Sequence, residues 1–203
     1  MRQLVLVLLF AVACVWAQER CCAPELHTLR EFRTTSYEEN GRTVTETEVS
    51  ERAYDYNEER FAHEGEIRRA NGTTERFKVI ELIKRDERFF IQNDKCTKEK
   101  PRETRVDRCV AQTANFTGSY FIGDHQLECE TWADNVRDDE AEGYGSFTFT
   151  RGNCIPVASV FSGVIKESGR EPRRDLSVRT YSDFRKGVED PGRWFEPPSS
   201  CSS

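Results

Sequence analysis

The stretch that decides the fold reads Arg42-Thr-Val-Thr-Glu-Thr-Glu-Val-Ser-Glu-Arg-Ala-Tyr-Asp-Tyr56. Thr, Val and Tyr favour strands and recur throughout it, and the segment has no apolar stripe at helical spacing. Asn40-Gly41 comes directly before it, and this dipeptide is a strong signal for a two-residue hairpin turn. Residues 31–37 can pair back across that turn, so the segment predicts an antiparallel hairpin.

Similar segments follow along the chain, separated mostly by Gly, Asn or Asp turns. Beyond the hairpin, the predicted strands are Arg60–Arg68, Arg76–Lys84, Arg88–Gln92, Tyr120–Gly123, Gln126–Trp132, Tyr144–Thr150, Ile155–Ile165 and Leu176–Phe184. Short strands at this spacing are typical of an antiparallel sandwich or open barrel. We therefore predict an all-β fold with about 10–11 strands. Only residues 98–109 and 134–143 have a composition that allows a short helix.

The chain opens with Arg2 and an apolar run, Leu4–Val15, that ends near the small residue Ala17. This order is typical of a secretory signal peptide, and the run is shorter than the roughly 20 residues that cross a bilayer. We predict that residues 1–17 are removed and that residues 18–203 form one secreted domain without a transmembrane segment. An uncleaved anchor is the alternative. Secretion to the extracellular space is the default destination, with the lysosome as the other one considered.

The composition excludes several function classes. The chain is 36% hydrophobic and 33% charged with a net charge of −6, which fits a globular protein with a solvated surface. No basic block resembles a nucleic-acid footprint. No G-x-S-x-G, glycine-rich phosphate loop or recognisable histidine motif indicates catalysis. We therefore expect a protein that is not an enzyme and that requires no cofactor.

Eight cysteines occur, and Cys14 lies in the leader. The seven others are Cys21, Cys22, Cys96, Cys109, Cys129, Cys154 and Cys201. In an oxidising compartment most of them should be paired, and the odd number leaves one thiol free or bonded to another chain. No C-x-x-C pair occurs and the three histidines are scattered, which argues against structural zinc.

Two sequons, Asn71-Gly72-Thr73 and Asn115-Phe116-Thr117, are candidate N-glycosylation sites in a secreted chain. The end of the chain, residues 190–203, is rich in proline but also carries Trp194 and Phe195. Proline at this density excludes a central strand and a helix. An apolar tail followed by a cysteine predicts a segment that a disulfide fixes onto the domain.

Four motifs together resemble the ependymins and ependymin-related proteins. They are Cys21-Cys22-Ala23-Pro24, the aromatic Arg88-Phe89-Phe90-Ile91 that runs into Lys95-Cys96, Cys154-Ile155-Pro156-Val157, and the ending from Asp190-Pro191 through Phe195, Pro197 and Pro198 to Cys201. The resemblance covers nearly the whole mature chain. It implies two curved antiparallel sheets that enclose a hydrophobic pocket, in a secreted or lysosomal glycoprotein that forms homodimers. It also implies lipid binding, calcium binding and cell–matrix adhesion.

The resemblance implies two disulfides, Cys21–Cys154 and Cys96–Cys201. A third bridge of many vertebrate relatives has neither of its cysteines here. Cys109 and Cys129 then remain for a local staple, and Cys22 is left as a buried or capped thiol or as a link between two chains.

The main functional hypothesis is a lipid or another hydrophobic small molecule held between the sheets. The candidate pocket residues are Phe77, Val79, Phe147, Phe149, Val157 and Phe161. Alternating residues such as Phe147 and Phe149 are equally typical of an ordinary core, so the pocket rests on the resemblance. We expect such a pocket to select chain length and shape more than head group.

The alternative is an extracellular-matrix component, including mineralised matrix, that binds calcium without carrying lipid. The acidic segment between residues 134 and 142 offers the candidate ligands Asp134, Asp138, Asp139 and Glu140. Calcium takes six to eight oxygen ligands, but this segment lacks the spacing of an EF-hand loop and Arg137 lies within it. A solvated acidic loop is the simpler interpretation.

Overall fold

In a computed structural model of the chain, residues 20–93, 95–101, 108–137, 141–166 and 171–201 are described. The strands are β1 (Leu26–Glu39), β2 (Arg42–Asp55), β3 (Arg60–Arg68), β4 (Thr74–Leu82), β5 (Glu87–Gln92), β6 (Lys95–Glu99), β7 (Asn115–Ile122), β8 (Leu127–Arg137), β9 (Ala141–Thr150), β10 (Pro156–Ile165) and β11 (Arg173–Lys186). The helix α1 spans Pro191–Phe195, and two 3₁₀ turns span Ile83–Arg85 and Ser199–Cys201. No helix of the described residues has both the length and the apolar composition to cross a membrane.

All eleven strands belong to one open antiparallel sheet in the order β6-β5-β4-β3-β2-β1-β11-β10-β9-β8-β7. The prediction of an all-β fold is confirmed, and each predicted strand is present. The two curved sheets that were expected are continuous with each other, because β1 pairs with both β2 and β11. The prediction omitted β6, and the helix considered at residues 134–143 is wrong where it can be compared, because β8 and β9 occupy its described ends.

The hairpin of β1 and β2 sets the register of the sheet. The two turn residues, Asn40 and Gly41, both have positive φ, at 52° and 71°, as a tight primed turn requires. From Glu39↔Arg42 to Leu26↔Asp55 the two strands pair without a bulge. Successive side chains in a strand point to opposite faces. This register therefore determines, for each residue of β1 and β2, which of the two faces its side chain lies on.

The two faces of the sheet differ in burial along the same strands. We call the face that carries Glu31, Ser50 and Ser159 the inner face, and all three residues are buried. We call the other the outer face, and there Phe32 and Val160 are exposed. Along these central strands the inner face is therefore the more buried of the two.

The segments at the two ends of the described chain cover opposite faces. On the outer face, Trp194 and Phe195 of α1 pack on a cluster that contains Ala53, Ala62, Ile80, Leu82 and Phe89. The exclusion of a helix from the tail is wrong, because Pro191 occupies the first turn, where its missing N–H costs nothing. On the inner face, the N-terminal Cys21 joins Val110, Ala114 and Trp132 in a second cluster.

Three disulfides fix these segments: Cys21–Cys154, Cys22–Cys109 and Cys96–Cys201. The first and third are the pairs that the resemblance implied. The predicted Cys109–Cys129 staple, with Cys22 left over, is wrong. The backbone N–H of Ala23 donates to Arg108 O and that of Val110 donates to Cys21 O, both at 2.9 Å, and this pairing sets Cys22 opposite Cys109. The free thiol of the described chain is Cys129, which is buried within β8.

The substitution Gly163→Ala should destabilise the fold by about 1–3 kcal/mol, because the added carbon overpacks two paired strands. A Cβ on Gly163 would lie 2.3 Å from the carbonyl oxygen of Glu142 and 2.6 Å from Cα of Gly143. Denaturant unfolding measures the loss. The control is Ser162→Ala on the exposed side of the same strand, and equal stability of the two variants would contradict the close approach.

The native protein should resist alkylation by iodoacetamide, and one cysteine, Cys129, should react after unfolding without reductant. Cys129 is fully buried, and burial raises the pKa of its thiol, so little reactive thiolate is available in the folded state. Peptide mass spectrometry identifies the labelled residue. Labelling of Cys22 instead would show that the Cys22–Cys109 bridge is absent.

Candidate functional site on the inner face

The inner face carries one continuous row of side chains across seven strands. Cross-strand pairing aligns Phe116, Trp132, Phe147, Ser159, Arg179, Arg33 and Glu48, in that order from β7 to β2. Aromatic residues therefore occupy one half of the row and charged residues the other half. Ser159 lies at the boundary between them.

The aromatic half is only partly covered. Trp132 is buried beneath the N-terminal segment, and the Phe116 ring meets it edge-on with 5.5 Å between centroids. Phe147 is next in the row, and 38% of this residue stays exposed. Its ring lies along Gly145, where an added Cβ would be 3.3 Å from two ring atoms. The Phe161 ring lies over Gly163 in the same way, so glycines allow both rings to lie along the strands.

The six predicted pocket residues do not form a single cluster. Phe147, Phe149 and Phe161 lie on the inner face of β9 and β10, and Val157 lies at the bulge that begins β10. Phe77 and Val79 also lie on the inner face, but on β4, and both are buried. The strands between these two groups carry charged residues, so the apolar surface of the inner face is divided into two parts.

The charged half of the inner face is an ion-pair network. Glu31 and Glu48 are buried, at 1% and 4% exposure. Arg52 Nη2 lies 2.8 Å from Glu31 Oε1 and 3.5 Å from Glu48 Oε1, and Arg33 forms an ion pair with Glu48. The hydroxyl of Ser50 donates to Glu48 Oε1 at 2.9 Å. Buried carboxylates need such partners, because an unpaired buried charge is strongly destabilising.

His63 on β3 lies beside the arginines of this network. Burial lowers the pKa of His63 well below its usual value, and the positive charges of Arg52, Arg33, Arg88 and Arg179 lower it further. His63 is therefore neutral near pH 7. Burial and four nearby guanidinium groups thus act in the same direction on this imidazole.

Sequence reasoning did not identify the charged row. The sequence does contain a local sign of this row. Glu31 and Arg33 alternate with Phe32 in β1, and Glu48 and Arg52 are an even number of positions apart in β2, so that they lie on the same face. Alternating polar residues usually indicate the solvent side of a strand. In the central strands this rule is inverted, with the polar residues on the buried face.

The candidate glycosylation sites both lie on the surface. Asn71 is in the turn between β3 and β4, and its Oδ1 accepts from the backbone N–H of Thr73 at 2.9 Å and from its hydroxyl at 2.7 Å. Asn115 is the first residue of β7 and is exposed. Glycans at either position would extend away from the sheet.

The calcium prediction is only partly open to comparison. Asp138, Asp139 and Glu140 lie outside the described residues. Asp134 lies in β8, where Oδ2 accepts from the Thr113 hydroxyl and Oδ1 accepts from Asn135 N at 2.8 Å. The described ranges contain no group of three or more His, Cys, Asp or Glu residues arranged to hold a metal ion. Calcium binding stays a prediction.

Comparison with known proteins identifies relatives. The family model described as Ependymin matches residues 71–201. The development-specific protein LVN1.2 of Lytechinus variegatus is 27% identical over 158 residues, which cover 73% of this chain and 83% of that protein.

Two solved structures are distantly similar to this chain, each at 8% identity. One is a DUF1329 family protein from Desulfovibrio piger, with 85% of this chain and 90% of that chain covered at a TM-score of 0.39. The other is a putative outer membrane lipoprotein-sorting protein domain from Vibrio parahaemolyticus, with 82% and 88% covered at a TM-score of 0.32. At these TM-scores the likeness carries no functional argument.

The substitution Glu48→Ala should destabilise the protein by about 3 kcal/mol, because the half-buried Arg33 loses its carboxylate partner and Arg52 keeps only Glu31. The control is Glu66→Ala, which removes an exposed pair with Arg76 at 2.8 Å and should cost at most about 1 kcal/mol. Thermal and denaturant unfolding compare the two variants. Equal losses would show that the inner-face network contributes no more than a surface ion pair.

Proposed function

Since this chain belongs to the ependymin family, we propose that it is a secreted binding protein that holds a lipid or another apolar ligand against the aromatic half of its inner face. One observation carries the proposal. Phe147 is a large apolar residue on the inner face, yet 38% of it stays exposed while Glu31 and Ser50 on the same face are buried. An apolar ligand is the natural cover for such a ring.

The surroundings of Phe147 suit an extended apolar chain. Phe161 lies on the neighbouring strand, two residues beyond Ser159, which pairs with Phe147. In the other direction the row continues through the buried Trp132 to Phe116, which is exposed. The rings of Phe147 and Phe161 lie flat along glycines that have no side chain. They therefore form a flat apolar surface on which an extended chain can lie. Each methylene group buried there contributes about 0.8 kcal/mol before the costs of association.

The proposal includes the compartment. The N-terminal leader pattern, three disulfides and two exposed sequons all suit an oxidising, extracellular environment. Glycosylation at Asn71 and Asn115, a homodimer and calcium-linked behaviour stay predictions. A matrix role is compatible with this compartment, but the partly exposed aromatic row favours a ligand carrier over a purely structural matrix protein.

The test compares two phenylalanines of similar exposure on opposite faces. Phe147→Ala should weaken binding of a fluorescent fatty acid by about tenfold, because the ligand loses its main apolar contact. Phe32→Ala on the outer face, where Phe32 is 42% exposed, should leave the affinity unchanged. Fluorescence titration of the secreted, delipidated protein measures both affinities.

Native mass spectrometry followed by organic extraction provides an independent test. A carrier should leave the cell with lipid bound in stoichiometric amount. A ligand-free protein that also fails to take up the fluorescent fatty acid would refute the proposal and favour the matrix alternative.

A further inference from the structure

The charged half of the inner face contains one arrangement that its own ion pairs do not explain. Arg33 of β1 and Arg179 of β11 are directly opposite each other in the sheet, on the inner face. Like charges in directly opposed positions destabilise a pair of strands. A sequence under no other constraint would place an apolar or acidic residue at one of these positions.

The nearby carboxylates are already engaged. Glu31 pairs with Arg52, and Glu48 pairs with both Arg33 and Arg52. Arg179 has no ion pair with any residue that the structure describes. Three guanidinium groups therefore face two carboxylates, which leaves one positive charge in excess on a surface where His63 is neutral.

The next acidic groups along the inner face also have partners of their own. Asp175 Oδ2 lies 3.6 Å from Arg173 Nη2, and Glu46 Oε2 lies 3.2 Å from Arg69 Nη1. The excess charge near Arg179 is therefore not offset by a neighbour further along β11 or β2.

Two buried polar atoms beside this charge lack a hydrogen-bond partner within the described chain. They are Ser177 Oγ and Arg52 Nε. Ser177 is 7% exposed and lies two residues before Arg179, so both side chains point to the inner face. A buried polar atom without a partner is costly, and a hydroxyl next to a guanidinium is a pair of donors suited to an anionic oxygen.

We propose that Arg179, with Arg33 and Ser177, binds the anionic head group of an amphiphile whose apolar chain lies on Phe147. This inference rests on the proposed function and adds the ligand's chemical class, a carboxylate or phosphate head on a hydrocarbon chain. The Arg33 side chain keeps 31% exposure and so remains accessible to such a head group.

The distances along the row agree with this assignment. Ser159 separates Arg179 from Phe147, so the two residues lie two strands apart, at roughly 10 Å. A head group at Arg179 therefore directs the first carbons of its chain across Ser159 onto the Phe147 ring. Recognition of an anion at Arg179 would add a head-group preference to the selection by chain length and shape that the sequence predicts.

The experiment uses the full secreted protein and two probes, dansylated undecanoic acid and its methyl ester, which differ only in the charge of the head. The wild-type protein should bind the acid about tenfold to hundredfold more tightly than the ester, as expected for hydrogen bonds to a charged group. Arg179→Gln should remove most of this preference by weakening the acid alone. An alkyl phosphate of matched length shows whether phosphate is preferred over carboxylate.

The matched control is Arg174→Gln, which removes the same charge from an exposed position on the outer face of the same strand. It should keep the preference for the acid. Arg179→Gln should fold at least as well as the wild type, because it relieves the repulsion from Arg33. If Arg179→Gln does not fold, Ser177→Ala provides the test. Its affinity for the acid should fall by about threefold, and its affinity for the ester should not change.

Equal binding of acid and ester by the wild type would overturn the head-group site and leave the proposed function standing. The same holds if Arg179→Gln, or Ser177→Ala in its place, keeps the full preference, or if Arg174→Gln loses it equally. Failure of the wild type to bind either probe would overturn both proposals.

Discussion

The antiparallel register between β1 and β2 is the constraint on which the rest of the structure depends. Because side chains alternate between faces, a slip of one residue would exchange Glu31 and Arg33 with Phe32 and Thr34. The positive φ of Asn40 and Gly41 fixes the turn and hence the register. Since β1 also pairs with β11, the same choice positions Arg179 beside Arg33 and carries the inner row into β10 and β9.

The central strands place charge inside and apolar side chains outside, which is the reverse of an ordinary sheet. Desolvation of Glu31 and Glu48 is costly, and the ion pairs with Arg33 and Arg52 offset that cost without a clear net gain over an apolar core. Removal of one partner is nevertheless costly, because it leaves an uncompensated charge on the inner face. The inner face therefore has a charged half and an aromatic half, which match the polar head and the apolar chain of an amphiphile.

The disulfides fix the two segments that lie outside the sheet at the ends of the described chain. Cys96–Cys201 fixes the tail, with Trp194 and Phe195, against the outer face of the β3–β5 half. Cys21–Cys154 closes a separation of 133 residues and fixes the N-terminal segment over Trp132 on the inner face. By chain-entropy arguments each long closure contributes a few kcal/mol. The terminal segments thus complete two cores at opposite ends and on opposite faces of one open sheet.

The sequence by itself determined the strand content, the hairpin at Asn40-Gly41 and, through its motifs, the family and two of the disulfides. These features depend on local propensity, turn chemistry and order along the chain. It did not reveal β6, whose charged edge segment lacks alternating apolar residues, or the Cys22–Cys109 bridge, which needs pairing across 87 residues. Only the tertiary structure decided that Phe147, Arg179, Arg33 and Glu48 share one row, because cross-strand neighbours depend on a register accumulated over several strands and not on proximity in the chain.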